Sequence, residues 1–222
     1  MTTTAMASET CTIKEILVRA SWWIAVVCAA ALACASCGAS VPALPPLGPG
    51  DTVLAFGDSL TYGTGAGASE AYPAVLATLI GREVVPAGVP GEVTESGLRR
   101  LPAALDRVRP KLLLLCLGGN DMLQRIDASM TAANLRRMVQ VARDRGVPVV
   151  LIGVPKPPLF SGSVDYFEVI AREFGIPLEN EIMASLFYDG STKSDAVHPN
   201  AAGYRRMAEA IAVLLRSAGA VE

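Results

Sequence analysis

The chain has 222 residues, 51% of them hydrophobic and 18% charged, with a formal net charge of -2. That length and apolar fraction suit one globular domain with a good core plus a short extension. A near-neutral charge without a basic cluster leaves no footprint for nucleic acid.

The extension comes first. Residues 22–37 are almost wholly apolar, Lys14 and Arg19 precede them, and Pro42, Pro45, Pro46 and Pro49 follow. A charged start, an apolar middle and a small-residue end make the layout of an export signal. The run is short for a membrane span, which needs about 20 apolar residues. Three outcomes are open: a lipoprotein signal with Cys34 or Cys37 acylated, ordinary cleavage near Ala35, or an uncleaved anchor. Met6 is an alternative start to Met1. All three outcomes export the remainder to the periplasm or beyond, with a membrane anchor in two of them. Residues 1–37 are therefore read as signal or anchor, 38–50 as a stiff proline-rich tether, and 51–222 as the globular domain.

From Asp51 onward strands and helices alternate. Thr52–Phe56 reads as a buried strand, Ser69–Ile80 as a helix and Val84-Val85 as a short strand. Thr94–Val108 places Leu98, Leu101, Leu105 and Val108 at helical spacing. Lys111–Leu117 is the most apolar run and suits a central parallel strand buried on both faces. Ser129–Arg145 reads as a helix stopped by Gly146, Val147–Val154 as a strand, Ser163–Phe174 as a helix, and Ile176–Leu178 as a short last strand. Asn200–Ser217 is a strong final helix with Tyr204, Met207, Ile211, Leu214 and Leu215 on one face. This alternation predicts an α/β fold of three layers, a parallel sheet covered by helices on both faces.

Loops that follow parallel strands share one edge of the sheet, where such folds place their chemistry. Those loops carry Gly57-Asp58-Ser59, Ala87-Gly88-Val89-Pro90-Gly91, Gly118-Gly119-Asn120-Asp121 and Pro155-Lys156-Pro157-Pro158; Asp195-Ala196-Val197-His198-Pro199 precedes the final helix. His198 is the only histidine, so any imidazole chemistry must use it. Four of the five cysteines (Cys11, Cys28, Cys34, Cys37) lie before residue 38. Cys116 is left alone in the domain, which therefore has neither a disulfide framework nor a metal-ligand pattern. A hydroxyl nucleophile needs a base, a group that orients the base, and donors for the developing oxyanion. Ser59, His198, Asp195, the Gly91 backbone and the Asn120 carboxamide can supply all of these. Taken singly, each is also ordinary turn or helix-start chemistry.

A rival reading is a nucleotide- or flavin-binding module. Gly63-Thr64-Gly65-Ala66-Gly67-Ala68 fits G-x-G-x-x-G/A, and Glu83 lies 20 residues after Gly63. The pattern begins too late after the strand, and the acid precedes the second strand instead of ending it.

Together, Gly57-Asp58-Ser59-Leu60, Gly91, Gly118-Gly119-Asn120-Asp121 and Asp195-Ala196-Val197-His198-Pro199 resemble the SGNH/GDSL hydrolase family. The closest type is the bacterial thioesterase I, lysophospholipase and arylesterase group. The resemblance covers residues 51–218. It implies a flavodoxin-like five-stranded parallel sheet in order 2-1-3-4-5. It also implies that Ser59 is the nucleophile and His198 the base, with Asp195 orienting His198. The N–H groups of Ser59 and Gly91 and the Asn120 side chain would form the oxyanion hole. Neither metal nor organic cofactor is implied, and a monomer is expected. The substrate would be a small acyl ester or thioester, hydrolysed through an acyl-enzyme. A carbohydrate O-deacetylase with the same triad is the alternative, and a non-catalytic envelope protein keeping the fold for binding is another. Leu159 and Phe160, in a loop expected to overhang the site, would line an acyl groove. Pro86 and Pro90 depart from the family pattern and remove two N–H donors from the second loop.

Overall fold

The computed structural model describes residues 41–155 and 164–222. Cys34, Cys37, Leu159 and Phe160 lie outside the described residues, as does the segment read as an export signal.

Five parallel strands form one sheet: β1 (Thr52–Gly57), β2 (Glu83–Gly88), β3 (Leu112–Cys116), β4 (Val149–Ile152) and β5 (Leu178–Glu179). Their order is β2-β1-β3-β4-β5, as the resemblance implies. Every residue of β3 and β4 is buried, so both faces of the middle of the sheet are covered. That burial explains why their sequences are continuous apolar runs instead of alternating ones. Helices α2 (Tyr72–Ile80), α7 (Ile182–Tyr188) and α8 (Ala201–Ser217) pack together on one side. Helices α3 (Thr94–Val108), α5 (Ala128–Arg143) and α6 (Asp165–Phe174) pack on the other. Two short helices, α1 (Ser59–Tyr62) and α4 (Gly119–Leu123), follow β1 and β3 directly.

Register fixes where the loops leave the sheet. Gly57 pairs with Gly88 on one side and Cys116 on the other, so three strand ends finish level with one another. Gly57 and Gly88 also leave room for α1. A Cβ on Gly57 would come within 2.1 Å of the Cys116 carbonyl, and one on Gly88 within 2.2 Å of the Tyr62 nitrogen. The serine-bearing helix therefore rests directly on two strand ends.

Several boundaries move, each for a local reason. Helix α2 begins at Tyr72 instead of Ser69, because residues 67–70 close a turn of their own: Glu70 N–H donates to the Gly67 carbonyl, and Gly67 N–H to the Glu70 carboxylate. Strand β2 runs on through Pro86 to Gly88; it is an edge strand, where a missing N–H is tolerated. Helix α7 was not visible as a pattern because it is only seven residues long. Its start is satisfied from outside, the Glu179 carboxylate accepting from Glu181 and Ile182 N–H. Residues 41–50, read as a tether, lie against the domain. Leu44 and Leu47 donate to the carbonyls of Ala218 and Ala220, Arg82 donates to the Leu47 carbonyl, and the Leu47 side chain is buried.

Candidate active site

Asp58 begins the site. Its carboxylate accepts from Leu60 N–H at 3.0 Å and so caps α1, which places Ser59 in the first helical turn. The Ser59 hydroxyl lies 3.0 Å from His198 Nε2. On the far side of the ring, Nδ1 is 2.8 Å from Asp195 Oδ2 and 3.1 Å from Oδ1. With the Nδ1 proton directed at that carboxylate, Nε2 is left to accept the serine proton. Asp195 is held in turn by the backbone, since its Oδ1 accepts from Val197 N–H at 2.8 Å and His198 N–H at 2.9 Å. Those bonds, led by the Val197 N–H and followed by the His198 side chain, pull the Asp195 carboxyl below its ordinary value.

The His198 loop is pinned from both ends. Ser194 N–H donates to the His198 carbonyl, and Asn200 caps α8 by accepting from Gly203 N–H at 3.0 Å. Gly65, in the glycine run Gly63–Gly67, lies against this loop. A Cβ on Gly65, whose φ is +100°, would meet Ser194 Oγ at 2.1 Å and the Pro199 carbonyl at 2.5 Å. No helix opens at this run, since α2 starts only at Tyr72. Close approach to the histidine loop, not phosphate binding, accounts for Gly65.

Gly91 and Asn120 line the same cavity as Ser59 and His198. Gly91 has φ +79°, a conformation that favours glycine, although a Cβ there would meet nothing. Among the described residues, neither the Ser59 nor the Gly91 N–H has a protein acceptor. The Asn120 Nδ2 donates to the Glu92 carbonyl at 3.1 Å and to Asp58 Oδ2 at 3.3 Å. The neighbouring Asp121 is buried and accepts from Thr94 N–H and both Thr94 and Thr131 hydroxyls, which locks α4 to α3 and α5.

The cavity has a volume of about 350 Å³, at the small end of ligand sites. Beyond the polar cluster its wall is apolar: Met122, Leu123, Val154, Pro155 and Phe187. All five catalytic and oxyanion candidates from the sequence therefore meet in one place. The sequence reading missed Phe187, Met122 and Leu123, because none belongs to a recognisable motif. It also missed Glu92 and Arg100, whose salt bridge links a loop to a helix. For Asp58, adjacency to Ser59 in the motif gives no hint of its depth. It is only 2% exposed, and burial pushes its carboxyl up to about 7 despite the Leu60 N–H bond. Among the described residues no group of histidine, cysteine, aspartate and glutamate side chains has the geometry to hold a metal ion.

Comparison with known proteins bears on the same stretch. Residues 55–206 match the model of the GDSL-like lipase/acylhydrolase family. Esterase TesA of Pseudomonas aeruginosa is 32% identical over 171 residues, 71% of this chain and 84% of that protein. Thioesterase 1/protease 1/lysophospholipase L1 of Escherichia coli K12 is 31% identical over 158 residues, 68% of this chain and 76% of that protein. The crystal structure of the psychrotrophic esterase EstA from Pseudoalteromonas sp. superposes with a TM-score of 0.66. That match covers 75% of this chain and 99% of that one, at 24% identity, and shows a shared fold. The chain belongs to the GDSL-like lipase/acylhydrolase family.

Proposed function

We propose that this protein hydrolyses carboxylic esters or thioesters through an acyl-enzyme on Ser59. The observation that carries the reading is the continuous line from Asp195 Oδ2 through His198 to Ser59 Oγ, with contacts of 2.8 and 3.0 Å. Ser59 Oγ attacks the acyl carbon as its proton passes to His198 Nε2. The carbonyl π electrons move onto oxygen, which the N–H groups of Ser59 and Gly91 receive together with the Asn120 carboxamide. Asn120 exchanges its longer contact, the one to Asp58, for the oxyanion. Collapse of the tetrahedral adduct expels the alcohol or thiol, which takes the proton from Nε2. Water then repeats the sequence on the acyl-serine and releases the carboxylic acid.

The names of the relatives, an esterase and a thioesterase/lysophospholipase, support acyl esters and thioesters as the substrate class. The apolar wall of Met122, Leu123, Val154, Pro155 and Phe187 favours an acyl or aryl group over an acetylated sugar. Residues 51–222 would be the hydrolase domain. Export to the periplasm, with or without a lipid on Cys34 or Cys37, is supported by the charged, apolar and small-residue order of residues 14–37. Among the described residues no helix is long and apolar enough to cross a membrane.

Turnover of p-nitrophenyl esters by wild type and Ser59→Ala tests the assignment, with circular dichroism to verify folding. The variant should keep the fold and lose activity by several orders of magnitude. Undiminished turnover in a folded variant would sink the reading.

A further inference from the structure

The loop Val89–Glu92 holds the Gly91 N–H in place, yet it has few bonds of its own. Pro90 has no N–H to donate. Within the backbone, Val89 N–H donates to the Gly57 carbonyl at 3.0 Å and Glu92 N–H to the Val89 carbonyl at 3.1 Å. A side-chain restraint comes from α3. Arg100 forks onto the Glu92 carboxylate, with Nε to Oε1 at 2.8 Å and Nη2 to Oε2 at 2.5 Å. The Glu92 side chain is only 5% exposed. The same Nη2 donates to the Ala87 carbonyl at 3.1 Å and the Gly57 carbonyl at 3.4 Å, and the guanidinium carbon lies 3.9 Å from the centre of the Phe56 ring. One cation thus binds the last turns of β1 and β2 and the loop that follows β2. The Glu92 carbonyl is also the acceptor that aims the Asn120 carboxamide.

We propose that Arg100 is a positioning residue for ester hydrolysis, fixing through Glu92 both the Gly91 N–H and the Asn120 side chain that face the oxyanion. The inference rests on the Ser59 reading. A planar fork is needed because two parallel bonds set the orientation of the carboxylate as well as its distance. The charge matters too. Without Arg100, the Glu92 carboxylate, only 5% exposed, would be left buried and unpaired, and the loop that carries it would shift to release it.

The test is steady-state kinetics on one p-nitrophenyl ester for wild type, Arg100→Met, Asn120→Ala and the double variant. Arg100→Met should lower kcat by about 10- to 100-fold and leave KM within about twofold, since the donors act on the transition state. Asn120→Ala should cost at least about fivefold less in the Arg100→Met background than in wild type, because its amide is already misdirected there. Arg100→Lys keeps the charge without the fork and should recover part of kcat. Three outcomes would each overturn the proposal: unchanged kcat, a loss confined to KM, or costs that simply multiply. If Arg100→Met does not fold, Glu92→Gln takes its place, since it leaves Arg100 over Phe56 and on the Ala87 and Gly57 carbonyls. The same kcat loss and coupling to Asn120 are then required, and their absence refutes the proposal. Ser59→Ala separates the two levels. If it leaves turnover intact, the reading of the site fails; if it abolishes turnover while Arg100→Met changes nothing, only this inference fails.

Discussion

Asp58 lies directly before Ser59 and is far more deeply buried than Asp195. Burial raises its carboxyl from an ordinary value of 3.8 to about 7 in the folded protein. A group whose folded value is raised contributes stability that is complete at low pH and is lost as pH rises toward the folded value. The unfolded chain gives up this proton near pH 4, whereas the folded protein keeps it until about pH 7. Stability should therefore fall by a few kcal/mol, in order of magnitude, between about pH 4 and 7, and then level off. Asp58→Asn mimics the neutral acid and still accepts from Leu60 N–H. Relative to wild type it should be more stable at pH 8 than at pH 5, as read from urea midpoints. An identical difference at both pH values would show that another group titrates. Asp195 has the opposite sign: its value is lowered, so its contribution is lost on acidification below the usual carboxylate range.

At the scale of elements, the decisive contact is that of α1 with the ends of β1 and β2. A Cβ on Gly88 would lie 2.2 Å from the Tyr62 nitrogen and 2.6 Å from the Asp58 carbonyl, so the whole helix would have to lift. Gly88→Ala should cost about 1–3 kcal/mol through overpacking. A displacement of Ser59 near 1 Å should lower kcat by roughly 100-fold. Thermal melts and ester kinetics on the same preparation read both quantities. A variant with reduced stability but normal kcat would mean that α1 absorbs the strain without moving Ser59.

At the scale of the whole molecule, residues 41–50 tie the start of the domain to its end. Leu47 is buried, and its carbonyl accepts from both Nε and Nη2 of Arg82, just before β2. Burial of a leucine side chain is worth about 1.5–3 kcal/mol. A chain beginning at residue 51 should therefore melt about 5 °C below one beginning at residue 41. Ester kinetics should be nearly equal in the two, because residues 41–50 do not line the active-site cavity. Equal melting temperatures would show that the segment is a tether after all.

Sequence alone determined the parts of this protein that depend on local pattern. The run Leu112–Leu115 suited a buried parallel strand, and the spacing of Leu98, Leu101 and Leu105 marked a helix, as the structure has them. A single histidine fixed the only imidazole available to Ser59. The motifs around Ser59, Gly91, Asn120 and His198 carried the family resemblance because each sits within a few residues of a strand end or helix start. Contacts between residues distant in sequence were decided only by the tertiary structure. Register set Gly57 level with Gly88 and Cys116, which brought the loops carrying Ser59, Gly91 and Asn120 to one rim. Depth, not residue type, raised the Asp58 carboxyl. The Glu92–Arg100 fork needed α3 to turn back over the end of the sheet. Such features depend on distances through space between surfaces that fold together, and no periodicity along the chain encodes those distances.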